Sequence, residues 1–130
     1  MGLACYFGHV DAVEYLIKAG APVNSSSRNS LKAAPIQSAV AAGHERVVQI
    51  LLQFGADPNV REQNDYAPLH TAAQNRDAEM VRTLLYGGAD LTFQGDDGKT
   101  ALDIAMDAGD EKVISILKEG ITKRFKLKRE

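Results

Sequence analysis

The chain has 130 residues, of which 45% are hydrophobic and 25% charged, and its formal net charge is −2. This length suits one domain, and the composition is that of an ordinary soluble chain rather than a disordered or membrane one. No apolar run approaches the ~20 residues of a membrane-spanning helix, and the start lacks the basic and apolar regions of a signal peptide. Cys5 is the only cysteine, so no intrachain disulfide forms, and we expect a reducing compartment, the cytoplasm or the nucleus.

Charge is distributed unevenly along the chain. The last nine residues, TKRFKLKRE, contain five of the 15 basic residues and one of the 17 acidic residues. Residues 1–121 are therefore acidic as a group, and a short basic tail at 122–130 follows them.

Four stretches of the sequence repeat in order along the chain. They are LACYFGHVDAVEYLIKAGAPVN (3–24), APIQSAVAAGHERVVQILLQFGADPN (34–59), APLHTAAQNRDAEMVRTLLYGGADLT (67–92) and TALDIAMDAGDEKVISILKEGIT (100–122). The last three align at an offset of 33, and the first precedes the second by 35 because two extra residues lie in the intervening loop. Such copies predict a repeat architecture, in which each unit is stabilised by stacking on its neighbours.

The start of each unit predicts a first helix. Pro35 and Pro68 suit the first helical turn, where the missing N–H has no hydrogen-bond partner to lose. In the last unit, Thr100 and Asp103 form a variant of the capping box, which makes this the best-capped first helix.

The second half of each unit predicts a second helix. Apolar residues recur there at helical spacing, and Leu51 and Leu84 occupy the central column of the predicted core. Gly20, Gly55 and Gly88 follow these segments, at the place where a left-handed residue ends a helix.

The two ends of the array differ from its middle. In the last unit Lys118 replaces the leucine of the preceding units, which predicts a polar terminal surface, and we expect the last helix to end at Gly120. Met1 falls inside the first helix of the first unit, so that unit is expected to be incomplete. We therefore expect the chain to be the C-terminal part of a longer array or the product of a shortened reading frame. If it is neither, we expect a monomer.

The repeat resembles the ankyrin repeat. The family signature is present as APLH at 67–70, as GH at 8–9 and 43–44, and as GAD at 55–57 and 88–90. The resemblance covers roughly residues 1 to 122. It implies an all-α solenoid of about four stacked helix–turn–helix units with short projecting turns. We place the units at about 1–28, 29–64, 65–97 and 98–121, followed by the tail at 122–130.

The resemblance also implies a non-catalytic scaffold that holds a partner protein on its concave side, formed by the turn tips and the exposed side of the first helices. The positions that map there, column by column, are Tyr6, Phe7, Arg28, Asn29, Gln63, Asn64, Tyr66, Gln74, Asn75, Asp96, Asp97, Lys99 and Asp107. Tyr6, Phe7 and Tyr66 stand out, because aromatic residues on a polar surface are typical of binding hot spots. Alternatively, an upstream repeat covers Tyr6 and Phe7.

One stretch imitates a nucleotide-binding motif. GDDGKT at 95–100 ends like a phosphate-binding loop, but the first glycine of that pattern falls at Phe93. The stretch aligns with the turn between two repeats, so we interpret Gly98 as a chain-reversing residue.

Metal and catalytic sites are not predicted. His9, His44 and His70 do not have the spacing of metal ligands, and the resemblance assigns His70 to backbone hydrogen bonds. Cys5 aligns with small apolar residues, and although His9 lies at helical spacing from it, no oxyanion-stabilising group accompanies the pair. The acidic residues between 90 and 111 lack the order of a calcium loop and suggest a surface for a basic partner. We expect no enzyme activity, no cofactor and no metal.

The basic tail suggests an alternative function. Its charge could attract nucleic acid, an acidic membrane or an import receptor, but the acidic body opposes nucleic acid, so we do not expect that partner. The other interpretation of the tail is a frayed, solubilising end.

Overall fold

The structure is a computed structural model that describes residue 5 and residues 7–21, 23–24, 34–61 and 66–129, without the side chains of 123–129. All regular elements in these ranges are helices. They are α1 (Val10–Lys18), α2 (Pro35–Ala42), α3 (Glu45–Gln53), α4 (Pro68–Gln74), α5 (Ala78–Tyr86), α6 (Ala101–Ala108) and α7 (Glu111–Arg129).

The helices form two layers. The first helices α2, α4 and α6 lie side by side in one layer, and α1, α3, α5 and α7 form the other. Within each unit the two helices also pack on each other, as α2 does on α3, α4 on α5 and α6 on α7. The predicted all-α stack of two-helix units is confirmed.

The core lies between the two layers. Leu51 and Leu84, the predicted central column, are fully buried in successive second helices. Ala39, Ala72 and Ala105 are fully buried in successive first helices, where their small side chains permit close helix packing. The core therefore repeats with the same period as the sequence.

The helix starts agree with the local signals. Pro35 and Pro68 are the first residues of their helices. The Thr100 hydroxyl accepts a hydrogen bond from the Asp103 N–H at 3.2 Å, and the Asp103 carboxylate accepts one from the Thr100 N–H at 3.1 Å. The predicted capping box is therefore present at the start of α6.

The helix ends agree with the prediction in three units and differ in the last. Gly20, Gly55 and Gly88 have φ angles of +96°, +92° and +97°, in the region that glycine tolerates best. The prediction that the last helix ends at Gly120 is wrong, since α7 continues to residue 129. At the 33-residue spacing, Ile121 aligns with the glycines that end the other second helices. A β-branched residue does not favour the left-handed conformation that would end the helix.

The turn between the two helices of a unit has one irregular residue. Gly8, Gly43 and Gly109 occupy this position with φ angles of +72°, +80° and +71°, whereas the third unit has Arg76 at +55°. A side chain there carries a conformational cost that glycine avoids.

We expect Arg76→Gly to raise the free energy of unfolding by about 0.5–1 kcal/mol, because it relieves the left-handed backbone. Chemical denaturation measures the change. The matched control is Gly43→Arg, which should lower stability by a similar amount. A loss of stability in Arg76→Gly would contradict the assignment of strain.

Loops of adjacent units are joined by asparagine side chains, a feature that sequence reasoning missed. The Asn59 side-chain oxygen accepts a hydrogen bond from the Asp90 N–H at 2.7 Å, and its amide donates to the Gly88 carbonyl at 3.3 Å. Asn24 makes the equivalent pair one unit earlier. The next residue in this column is Thr92, which instead hydrogen-bonds within its own loop, to Asp90.

We expect Asn59→Ala to lower the free energy of unfolding by about 1–3 kcal/mol, because two hydrogen bonds between units are lost. Urea unfolding provides the measurement. Thr92→Ala is the matched control, since it removes contacts only within one loop and should cost less. Equal losses of stability in the two variants would show that the hydrogen bonds between units contribute no more than those within one loop.

Candidate partner-binding surface

The predicted binding residues fall into two groups. Tyr6, Arg28, Asn29, Gln63 and Asn64 lie outside the described residues. Most of the others form what we call the turn–helix surface, which comprises Tyr66, Gln74, Asn75, Asp96, Asp97, Lys99 and Asp107. Apart from the half-buried Tyr66, all of these are exposed.

Four of these residues are joined by hydrogen bonds across two units. The Tyr66 hydroxyl donates to the Asp97 carboxylate at 2.6 Å, and the Lys99 N–H donates to the same carboxylate at 3.0 Å. The Lys99 ammonium pairs with Asp107 on α6, also at 2.6 Å. The turn before α6 is thereby held to the start of the preceding unit and to its own first helix.

Buried His70 anchors Tyr66 and the following turn. The imidazole and phenol rings stack, with 4.8 Å between centroids. The Ala67 N–H donates to His70 Nδ1 at 3.1 Å, so Nε2 carries the proton and donates to the Lys99 carbonyl at 3.0 Å. His70 therefore has the structural role expected of it and connects two units.

Ionisable groups on the surface are perturbed by these contacts. The hydrogen bond to Asp97 raises the pKa of Tyr66, because only the protonated phenol donates it. The same bond, and then that from the Lys99 N–H, lowers the pKa of Asp97. The hydrogen bond and charge of Asp107 raise the pKa of Lys99. Because the groups face solvent, these shifts indicate local order rather than a large gain in stability.

We expect Tyr66→Phe to raise the pKa of Asp97 toward the ordinary aspartate value of about 3.9. The contribution of the ionised Asp97 to stability is present above that value and is lost as the pH falls through the lowered folded pKa. Without the phenol donor the contribution should be smaller, and its loss should be complete at a higher pH than in the wild type. Carboxyl NMR titration measures the change, with Tyr86→Phe on α5 as the control. The same Asp97 pKa in wild type and Tyr66→Phe would contradict the assignment.

Gln74, Asn75 and Phe7 lie outside this cluster. The Asn75 side chain donates to the Ala41 carbonyl of the preceding unit at 3.4 Å, whereas Gln74 faces solvent. Phe7 is exposed in the first unit, where its ring lies 6.2 Å from that of His9. The structure thus joins Tyr66, Asp97, Lys99 and Asp107 into one cluster and places Phe7 two units away.

Another exposed aromatic residue was not anticipated from the sequence. Tyr86, at the end of α5, is 98% exposed and lies between two open grooves of about 450 and 700 Å³. Arg82, one turn earlier, also lines both grooves. The sequence signal that could have identified Tyr86 is its alignment with Gln53, a polar residue, in the preceding unit. This is the outer face of the second helices, distinct from the turn–helix surface.

Reactive groups have structural surroundings. Cys5 is fully buried, and burial raises the pKa of its thiol to about 11, so it is not a thiolate at neutral pH. Among the described side chains, no three His, Cys, Asp or Glu residues are grouped to hold a metal ion. Within the described ranges, no helix has the length and apolar character needed to cross a membrane.

Comparison with known proteins agrees with the repeated geometry. The family model described as "Ankyrin repeats (3 copies)" matches residues 1–62 and 36–126. This chain belongs to the ankyrin-repeat family. Ankyrin repeats are generally modules of protein–protein interaction, and the resemblance first based on the APLH, GH and GAD signatures is confirmed.

Relatives of this ankyrin-repeat chain are diverse. It is 32% identical over 120 residues to the putative ankyrin repeat protein FPV031 of fowlpox virus, covering 88% of this chain and 35% of that protein. Identity to alpha-latrocrustotoxin-Lt1a of Latrodectus tredecimguttatus is 33% over 103 residues, which is 78% of this chain and 7% of the toxin. The interferon antagonist OPG040 of vaccinia virus is 35% identical over 96 residues, which cover 70% of this chain and 33% of that protein. The chain thus spans about a third or less of these proteins.

Proposed function

We propose that the chain is a non-catalytic scaffold that binds a partner protein through the turn–helix surface, in a reducing compartment such as the cytoplasm or nucleus. The observation that carries the proposal is the hydrogen-bonded cluster of Tyr66, Asp97, Lys99 and Asp107. Its side chains are held in place before binding, which lowers the entropic cost of association. The family supports the general role, because ankyrin repeats are generally interaction modules.

The charge of the surface favours a basic partner segment. Asp96, Asp97 and Asp107 are exposed there, and Lys99, which pairs with Asp107, is the cation among them. An excess of carboxylates attracts a Lys- or Arg-rich segment and accelerates its encounter, chiefly at low salt. The partner proposed here is therefore a protein that presents basic residues to the turns.

The proposal is tested by identifying a partner and mapping where it binds. Affinity capture from the native cell, with mass spectrometry, provides the partner, and calorimetry then measures its affinity for paired variants. Asp96→Lys should weaken binding and reduce its salt dependence, whereas Tyr86→Ala on the outer face should leave both unchanged. The reverse pattern would place the partner on the grooves beside Tyr86 and refute the assignment.

A second candidate function is favoured by the course of α7. This helix continues through residues 121–129, five of which are basic, so the charges extend along a helix instead of a frayed end. A basic helix can associate with nucleic acid or with an acidic membrane surface. Binding to duplex DNA or to phosphatidylserine vesicles that falls steeply with salt, and is lost when Lys123, Arg124, Lys126 and Lys128 become Gln, would support it. Retained binding in that variant would refute it.

A further inference from the structure

The last unit presents a helical face, here called the end face, that corresponds to the faces buried between units elsewhere in the stack. Met106 on α6 is 54% exposed, whereas Val40 and Ala73 in the same column are 1% and 0% exposed. Ile114 on α7 is half-buried, although Val81 in its column is fully buried. The end face thus retains the apolar centre of an inter-unit interface.

Contacts between internal units define which polar residues belong to this face. Glu45 accepts a hydrogen bond from Thr83 of the next unit at 3.1 Å, and the equivalent residue of the last unit is Glu111. Leu52 lies so close to Gly87 of the next unit that a Cβ there would be 2.7 Å from its side chain. In the last unit, that leucine position is Lys118.

The polar residues of the end face are separated by charge. Glu111, in the first turn of α7, and Asp107, on α6, are exposed at one end. Exposed Lys118 lies seven residues along α7 from Glu111, a rise of about 10 Å. Glu111 thus marks an acidic end of the face and Lys118 a basic end, on either side of the apolar centre.

The chain does not turn back over this face within the described residues. In the third unit Gly88, with a positive φ, follows the second helix, and the loop after it crosses to the last unit. Up to Arg129, α7 remains helical instead. The polar terminal surface expected from Lys118 is thus only part of the end face, because Met106 and Ile114 remain at its centre.

We propose that the end face binds the same face of a second copy of this chain, in an antiparallel pair related by a two-fold axis. Antiparallel pairing brings the acidic end of one copy to the basic end of the other, so Glu111 of each copy faces Lys118 of the other. The apolar centres then pack together, continuing the interface that already joins successive units. This pairing differs from the monomer expected from the sequence, is compatible with further repeats before the first unit, and does not depend on the proposed function.

The oligomeric state of the 130-residue chain is the first test, measured by analytical ultracentrifugation over a range of concentrations. We expect a reversible monomer–dimer equilibrium that Met106→Glu weakens at least about tenfold, since the variant places a charge at the centre of the interface. Tyr86→Glu, on the outer face, should have the wild-type equilibrium. A chain that stays monomeric up to about 1 mM, or dimers that tolerate Met106→Glu, would overturn the proposal.

Charge reversal tests the antiparallel arrangement. Glu111→Lys and Lys118→Glu should each weaken self-association, because each places like charges opposite one another. A mixture of the two variants should form heterodimers at least about tenfold tighter than either homodimer, since both pairs are then attractive. Circular dichroism and thermal melts check that both variants fold. If mixing restores no association, the antiparallel pairing is wrong.

Discussion

Leu84→Ala is expected to lower the free energy of unfolding by about 2–5 kcal/mol, because it leaves a cavity at the centre of the stack. Leu84 is fully buried on α5, between units that pack on it from both sides. Leu51→Ala should have an effect of similar size, since Leu51 occupies the same column one unit earlier. Urea unfolding monitored by circular dichroism measures both changes.

The matched control for the core variant is Leu85→Ala. Leu85 is adjacent to Leu84 on α5 but is only half-buried, so its truncation should cost less. If Leu84→Ala and Leu51→Ala have the stability of the parent chain, the repeated core does not hold the units together.

Tyr66→Ala is expected to weaken binding of the captured partner by about 1–3 kcal/mol while the fold is retained. The variant removes an aromatic surface and one of the two hydrogen bonds to the Asp97 carboxylate, the one from the phenol at 2.6 Å. Because the ring also stacks on His70, some local disorder should accompany the loss of affinity. Calorimetry measures the affinity, and thermal melts measure the fold.

Tyr66→Phe separates the two contributions. This variant keeps the ring and loses the hydroxyl, so a smaller loss of affinity than in Tyr66→Ala would assign the difference to the aromatic surface. Wild-type affinity in Tyr66→Ala would remove Tyr66 from the binding site and leave the role of the cluster purely structural.

Much of the fold was predictable because its signals are local. Pro35 and Pro68 restrict the backbone at the helix starts, and the hydroxyl of Thr100 reaches an N–H only three residues away. The 33-residue period then places equivalent residues in one column. Such signals depend on neighbours in the chain and can be identified before any unit is placed against another.

The candidate site was predictable only as a set of positions. That Tyr66 and Asp97 lie on adjacent turns follows from the repeat, but the hydrogen bond between them depends on the relative positions of two stacked units. The inter-unit hydrogen bonds of Asn59 depend on the same stacking. Alignment of the repeats shows which residues are equivalent, but it does not show which residues of adjacent units are in contact.

By itself, the sequence determined the repeating unit, the starts of its helices and the apolar columns of the core, since these follow from backbone preferences and periodicity. Only the tertiary structure decided the environment of each column. Val40 and Met106 correspond in sequence, yet one is buried and the other is exposed, because burial requires a neighbouring unit.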